Sequence, residues 1–561
     1  MLVAIVIWVE VVAMSRPLRH MLTVVVMVVA AVFSFAIAPG TAHAADAGTI
    51  TVDGTVAKRY DAYQLFSATV VDDADADQKV ATDVTWANDT VRKAALPVLH
   101  DAGLDSSAST AQEAAEWMNA DGHMTTALTA KLARAICNAD APSMALNAVT
   151  AAELPCGYWL IVAVDDAIAQ NEAGTAPIMA LVGGSAVTVK PKTATPKVAK
   201  HVLEDSTSAW QKAADATVGD DLYWRLSATV PAGLTAYDTY AVQFVDAMSA
   251  GLDPSKVAAS MRVYVAAGAE GGFDAVSTGK DGRAGTEPTQ GWTDITAQCG
   301  VTVEGNAFTV RTGDLIAALG GADAFTAGAR VVAVYNAPLN SGCNHGIAKG
   351  NPNEVYLRYP RSPFADQSGD TGFTHTPSDD ATAYTWGLSL IKRSSTNDNP
   401  LAGAKVRITD DRGRTLAADG TWTTDADAYV VSGEDGRLEL NGVDTGAYTV
   451  EEVAAPKGYT AFEGKRTVTV AADGLDVEQV AAAKPKVTVS AESPLRVDAA
   501  DAGSGSIELS VLNTPSKEAS RGFMPSTGDR TLVLVAALTA IGLAAIVAAL
   551  VIKRGGGRHD K

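Results

Sequence analysis

Three side chains in the last third of the chain, Lys392, Glu452 and Asn513, fall where strand alternation places apolar residues. Lys392 shares the parity of Leu388 and Leu390, Glu452 that of Tyr448 and Val450, and Asn513 that of Ile507, Leu509 and Val511. A lone amine or carboxyl in a core is costly. Burial lowers a lysine pKa and raises a glutamate pKa, so the pair is driven toward neutral amine and protonated carboxyl. A neutral amine is a nucleophile, and a carboxyl beside an asparagine amide can polarise it and carry its proton. The predicted product is an isopeptide bond between Lys392 and Asn513, formed once with loss of ammonia and promoted by Glu452. The competing outcome for the same residues is a buried salt bridge with a hydrogen-bonded asparagine.

The arrangement recurs upstream. Val198, Lys200 and Val202 share one face, Val242, Phe244 and Asp246 another, and Asn353, Val355, Leu357 and Tyr359 a third. This predicts a Lys200–Asn353 bond assisted by Asp246, with Asn344 and Asn351 as nearby rival acceptors. Each proposed bond is expected to tie a first strand to a last strand, so that tension on the chain ends runs through covalent bonds. A crosslink of this kind also restricts the unfolded chain.

No turnover chemistry is expected. His100, His123, His201, His345 and His375 are scattered, and no Ser/His/Asp or metal-ligand spacing emerges. The acidic stretch 72–77 lacks the glycine and terminal glutamate of an EF-hand loop. Neither a cofactor nor a metal is predicted. The formal net charge of −20 argues against nucleic acid as partner. Four cysteines, Cys137, Cys156, Cys299 and Cys343, admit three pairings in an exported protein. Domain boundaries favour Cys137–Cys156 and Cys299–Cys343.

The elements that must position these groups follow from pattern. Residues 45–192 form a first unit with strand-like runs at 49–53, 60–71, 158–164 and 186–189. Its middle, about 91–139, is rich in Ala, Leu and Met and reads as two or three inserted helices. Short alternating runs separated by Gly, Asp and Pro over 193–385 read as an antiparallel β-sandwich. A third unit spans 386–515. The fold class expected is mainly β, with tandem Ig-like antiparallel sandwiches and helices inserted into the first.

The two ends address the chain. Arg16 and Arg19 precede an apolar stretch from Met21, and Ala42-His43-Ala44 offers a cleavage site, so 1–44 reads as a signal peptide with its true start at Met14 or Met21. After a linker, 516–530, comes an apolar run, 531–552, long enough to cross a bilayer as a helix, and then a basic tail, 553–561. Met524-Pro525-Ser526-Thr527-Gly528 before that run resembles the L-P-x-T-G sorting signal of Gram-positive surface proteins, with Met in place of Leu. The resemblance implies cleavage between Thr527 and Gly528 by a sortase and transfer of the Thr527 carboxyl to an amine.

Two further strings carry family resemblance. Residues 436–442 (GRLELNG) and 446–459 (GAYTVEEVAAPKGY) resemble the signature of collagen-adhesin B-type repeats, small Ig-like sandwiches known for Lys–Asn isopeptide bonds. Lys392, Glu452 and Asn513 match that family's pattern. Val187-Thr188-Val189-Lys190-Pro191-Lys192 resembles the pilin motif of Gram-positive backbone pilins, although Val189-Lys190 departs from the usual Tyr before Pro-Lys. The run 178–184, the Lys-Pro junction and the A-P-x-G-Y box also occur in the order such pilins show. This implies a sortase-assembled major pilin. Thr527 of one subunit would join Lys192 of the next, with Lys190 and Lys197 as rival acceptors. The partners implied are a class C pilus sortase, a housekeeping sortase, further copies of the chain, ancillary pilins, peptidoglycan, and host receptors or glycans. The alternatives are a monomeric wall-anchored adhesin and an ancillary pilin.

Overall fold

The structure is a computed structural model that describes residues 46–73, 78–120, 122–191, 194–268, 291–325, 327–365, 367–480, 483 and 485–516. The expected signal peptide, sorting motif (Met524 to Gly528, with Thr527), apolar span, basic tail and Lys192 lie outside the described residues.

The chain is mainly β, arranged as three successive groups of sheets, with helices only inserted among them. In the first group, three helices, Asp89–Asp101, Ala111–Asn119 and Thr126–Asn138, fall within the Ala-rich segment as expected. Each begins on a side-chain cap that satisfies an otherwise orphaned N–H. Asn88 Oδ1 accepts from Val91, Thr125 Oγ1 accepts from Leu128, and Thr110 and Glu113 form a reciprocal capping box. Their apolar stripes, including Val91, Leu99, Met118, Leu132 and Ile136, pack on the sheet through Leu65, Phe66 and Leu160. A small second sheet closes the other face, with Ala47–Val52 between Ala152–Pro155 and Val187–Val189.

The middle group is two facing sheets around one core that includes Trp224, Phe244, Val310, Tyr335 and Leu357. One sheet has the order 209–211, 197–204, 223–230, 329–336, 262–267, 293–294. The facing sheet has 213–215, 379–384, 351–360, 243–248, 307–311, 300–304. The third group is a second sandwich around Leu388, Leu390, Val406, Val450, Ile507 and Leu509. In its first sheet Trp386–Ser394 lies between Arg437–Val443 and Ser506–Pro515, and its second sheet is centred on Lys405–Thr409, Gly446–Ala454 and Lys465–Asp473.

The sheets are mostly antiparallel, as expected, with three parallel pairs: Ala47–Val52 with Val187–Val189, Ala213–Asp215 with Asp379–Tyr384, and Trp386–Ser394 with Ser506–Pro515. In the first and third groups the pair joins the group's first strand to its last, so the chain enters at one end and leaves at the other. One expectation about strand order is corrected. In the middle group the strand bearing Asn353 is not the last. Asp379–Tyr384 follows it and pairs with it, Asn353 facing Ala381. The proposed middle bond therefore does not reach the final strand.

Candidate functional site

In the third group, Lys392 and Asn513 come from neighbouring parallel strands. Lys392 faces Val511 and Ser394 faces Asn513, so the two side chains are diagonal neighbours on the core face. Glu452 descends from the opposite sheet. Its Oε1 lies 2.9 Å from Lys392 Nζ and accepts from Asn513 Nδ2 at 2.8 Å, while its Oε2 accepts from the Phe462 N–H at 3.0 Å. The Lys392 and Glu452 side chains are fully buried, and Asn513 is 1% exposed. Lys392 Nζ sits 5.1 Å from the centre of the Phe462 ring. Burial pulls the Lys392 pKa down, against the pull of Glu452 upward. Gly436 holds the lysine's backbone: its carbonyl accepts from Lys392 N–H, and a Cβ there would meet the Lys392 carbonyl at 2.5 Å. Its φ of +75° is one that glycine adopts without strain.

The middle site uses the two sheets differently. Asp246 and Asn353 are on neighbouring antiparallel strands of one sheet, with Asp246 facing Val355 and Met248 facing Asn353. Lys200 comes from the facing sheet and pairs with Asp246 Oδ2. All three are fully buried. The asparagine makes no direct hydrogen bond to the carboxylate. Instead, Asn353 Nδ2 donates to Tyr335 Oη at 2.8 Å, Lys200 Nζ donates to it at 3.0 Å, and Tyr335 Oη donates to Asp246 Oδ2 at 3.1 Å. Burial pushes Lys200 down to about 8, opposed by Asp246, and pushes Asp246 up, opposed by Lys200. Buried polar atoms are nearly always hydrogen-bonded, yet Asp246 Oδ1, Asn353 Oδ1 and Asn513 Oδ1 have no such partner here.

The rival asparagines are engaged elsewhere. Asn351 Oδ1 accepts from Asn344 N–H, and Asn351 Nδ2 donates to the carbonyls of Asn344 and Ala383. Asn344 Nδ2 donates to the Gly350 carbonyl. Both are backbone staples of one turn, away from Lys200. Of the acceptor lysines, Lys190 is exposed with an ion pair to Asp53 at 3.5 Å, and Lys197 is exposed at the start of its strand.

The structure holds no disulfide between Cys137 and Cys156 or between Cys299 and Cys343. Cys137 sits by Tyr63, whereas Cys156 lies beside Ala68 and Gly183, farther along the same long strand pair. Cys299 bonds to the Ile295 carbonyl next to the Gln243–Arg311 end of the middle sheet, and Cys343 lies beside Gly251 past its Met248 end.

Tyr335 is the participant that sequence reasoning missed. Its signal was present, since it shares parity with Val331 and Ala333 in a run read as a strand. A tyrosine ending such a run reads as core.

The family described as SpaA, prealbumin-like fold domain, matches residues 387–484, the segment that carries the collagen-adhesin-like string and Glu452. No curated protein sequence matches the chain. Among solved structures, the chain is similar to the T6 backbone pilin of Streptococcus pyogenes, with 15% identity, TM-score 0.46, and coverage of 84% of this chain and 98% of that one. It is similar to the major pilin SpaD from Corynebacterium diphtheriae, with 14% identity, TM-score 0.41, and coverage of 84% and 98%. It is also similar to BcpA, the major pilin subunit of Bacillus cereus, with 13% identity, TM-score 0.37, and coverage of 84% and 99%.

Proposed function

We propose that the chain is the shaft subunit of a covalently polymerised cell-surface pilus, joined head to tail through Thr527 to Lys192 of the next subunit. The observation that carries the reading is the buried set of Lys392, Glu452 and Asn513 on the first, a facing and the last strand of the third sandwich. In water-free surroundings such a set has two fates. As a salt bridge it pays for desolvating two ions and leaves Asn513 Oδ1 without a donor. As a reaction centre, neutral Lys392 Nζ attacks the Asn513 amide carbon, Glu452 passes the proton from the lysine nitrogen to the departing nitrogen, and ammonia leaves. The product amide is uncharged and suited to a core. Glu452 and Asp246 each act once, so the chain turns over no substrate.

A crosslink between the strands by which the chain enters and leaves the third sandwich suits a protein under tension. The sorting-signal resemblance at 524–528 supplies the acyl end of a polymer, and the pilin-motif resemblance at 187–192 supplies the amine. A pilus sortase would make the Thr527–Lys192 bond and a housekeeping sortase would attach the base to peptidoglycan. Repetition of one head-to-tail contact gives an open fibre.

The test is a denaturing immunoblot of wall extracts from cells carrying the native chain or Lys192→Ala. The reading expects a high-mass ladder that survives boiling in detergent and collapses to monomer in the variant. A single monomer band in both would favour a wall-anchored adhesin.

A further inference from the structure

The two crosslinking sites differ by one methylene and one hydroxyl. Glu452 reaches both Lys392 and Asn513 with a single oxygen. Asp246 is one carbon shorter, and its carboxylate reaches Lys200 and Tyr335. The Tyr335 hydroxyl stands between Asp246 and Asn353, in contact with the nucleophile, the carboxyl and the leaving nitrogen together. Tyr335 is fully buried, and its ring is packed edge-on against Phe308 with centroids 4.7 Å apart. Trp224 covers the lysine from the same sheet, its ring centre 5.6 Å from Nζ. The hydroxyl is therefore held in place and shielded from water.

We propose that Tyr335 is a catalytic proton relay for the Lys200–Asn353 bond, passing the proton from Asp246 to the Asn353 nitrogen. This rests on the reading that the bond forms. In the step, the Lys200 Nζ lone pair attacks the Asn353 amide carbon and an N–Cγ bond forms. Tyr335 gives its proton to Nδ2 as it takes the proton of the Asp246 carboxyl. One Nζ proton then replaces it on Asp246 Oδ2. The Cγ–Nδ2 bond then breaks and ammonia departs. Asp246 and Tyr335 end as they began, and nothing is oxidised or reduced. The sheets explain the need for a relay. Asp246 and Asn353 share a sheet and Lys200 approaches from the other, so the short carboxylate is drawn to the lysine and a hydroxyl from the lysine's own sheet bridges to the amide.

The experiment compares three secreted, full-length ectodomains by tryptic mass mapping: native, Tyr335→Phe, and Asp246→Glu combined with Tyr335→Phe. The native protein is expected to yield the branched Lys200–Asn353 peptide, and its absence there would overturn the bond itself. Tyr335→Phe is expected to slow formation by about 100-fold, the scale of general acid–base catalysis, so the branched peptide is lost while the Lys392–Asn513 peptide remains. The double variant restores the missing reach and is expected to recover the peptide, which a merely structural role for the hydroxyl would not predict. A branched peptide at native yield in Tyr335→Phe, or none in the double variant, overturns the relay.

Discussion

Lys392 and Asn513 lie diagonally across the parallel pair formed by the first and last strands of the third sandwich, and both meet the same oxygen of Glu452. The carboxylate comes from the opposite sheet, so closing the bond stitches two strands of one sheet. In the middle sandwich the lysine comes from the opposite sheet, and the same chemistry would stitch sheet to sheet. The two proposed bonds would therefore carry load along different paths.

The intact ectodomain is expected to weigh less than its sequence by two molecules of ammonia. Asn513→Ala and Asn353→Ala should each restore one. Mass spectrometry of the denatured protein checks this. A native mass equal to that of the plain sequence would leave both sites as salt bridges.

Glu452→Ala removes the carboxylate that pairs with buried Lys392 and is expected to prevent the crosslink. Losing the covalent loop closure costs about 2–4 kcal/mol, and the lysine left uncrosslinked is buried without its carboxylate. The third sandwich of this variant should melt well below the native one by calorimetry and become sensitive to protease. An unchanged melting profile would count against both roles of Glu452.

An open middle site should betray itself through pH. In Asn353→Ala the Lys200 amine stays free, with its folded pKa held near 8 against 10.5 for an ordinary lysine. The unfolded chain then binds more protons than the folded one between those values, so stability rises as pH climbs from about 8 to about 10.5. In a crosslinked native protein Lys200 would be an amide and this rise is expected to be absent. Urea unfolding at a series of pH values compares the slopes, and equal slopes would mean that the native lysine is also free.

Strand order sets the mechanical behaviour. In the third sandwich the proposed crosslink reaches the last strand, whereas in the middle one Asp379–Tyr384 lies beyond Asn353 and is held without a covalent bond, by pairing with Asn351–Pro360 and Ala213–Asp215 and by Asp379 contacts to Lys212 and the Lys200 N–H. Under tension, single-molecule force spectroscopy should release at most the segment between Asn353 and Trp386, about 30 residues or about 100 Å of chain. Asn353→Ala should release the whole sandwich, several times longer. A full-length release in the native protein would contradict the middle crosslink.

Much of this was legible in the sequence because a strand with one buried face exposes its exceptions. Lys392, Glu452, Asn513, Lys200, Asp246 and Asn353 stand out as polar residues at apolar parity, and all six are buried. Parity does not say which sheet a strand joins, so the different layouts of the two sites were not readable. The final strand of the middle sandwich, Asp379–Tyr384, is short and begins with two aspartates, with weak intrinsic strand propensity. It is held by neighbours on both sides, a tertiary effect. Tyr335 was hidden for the opposite reason: its ring satisfies the core pattern and its hydroxyl carries the chemistry.

A covalent polymer is tested most directly by peptide mass spectrometry of the high-mass, detergent-resistant wall material. The expected result is a branched peptide in which the Thr527 carboxyl is joined to the Lys192 amine. Material in which Thr527 is found only on peptidoglycan, with no lysine of a second copy attached, would contradict it.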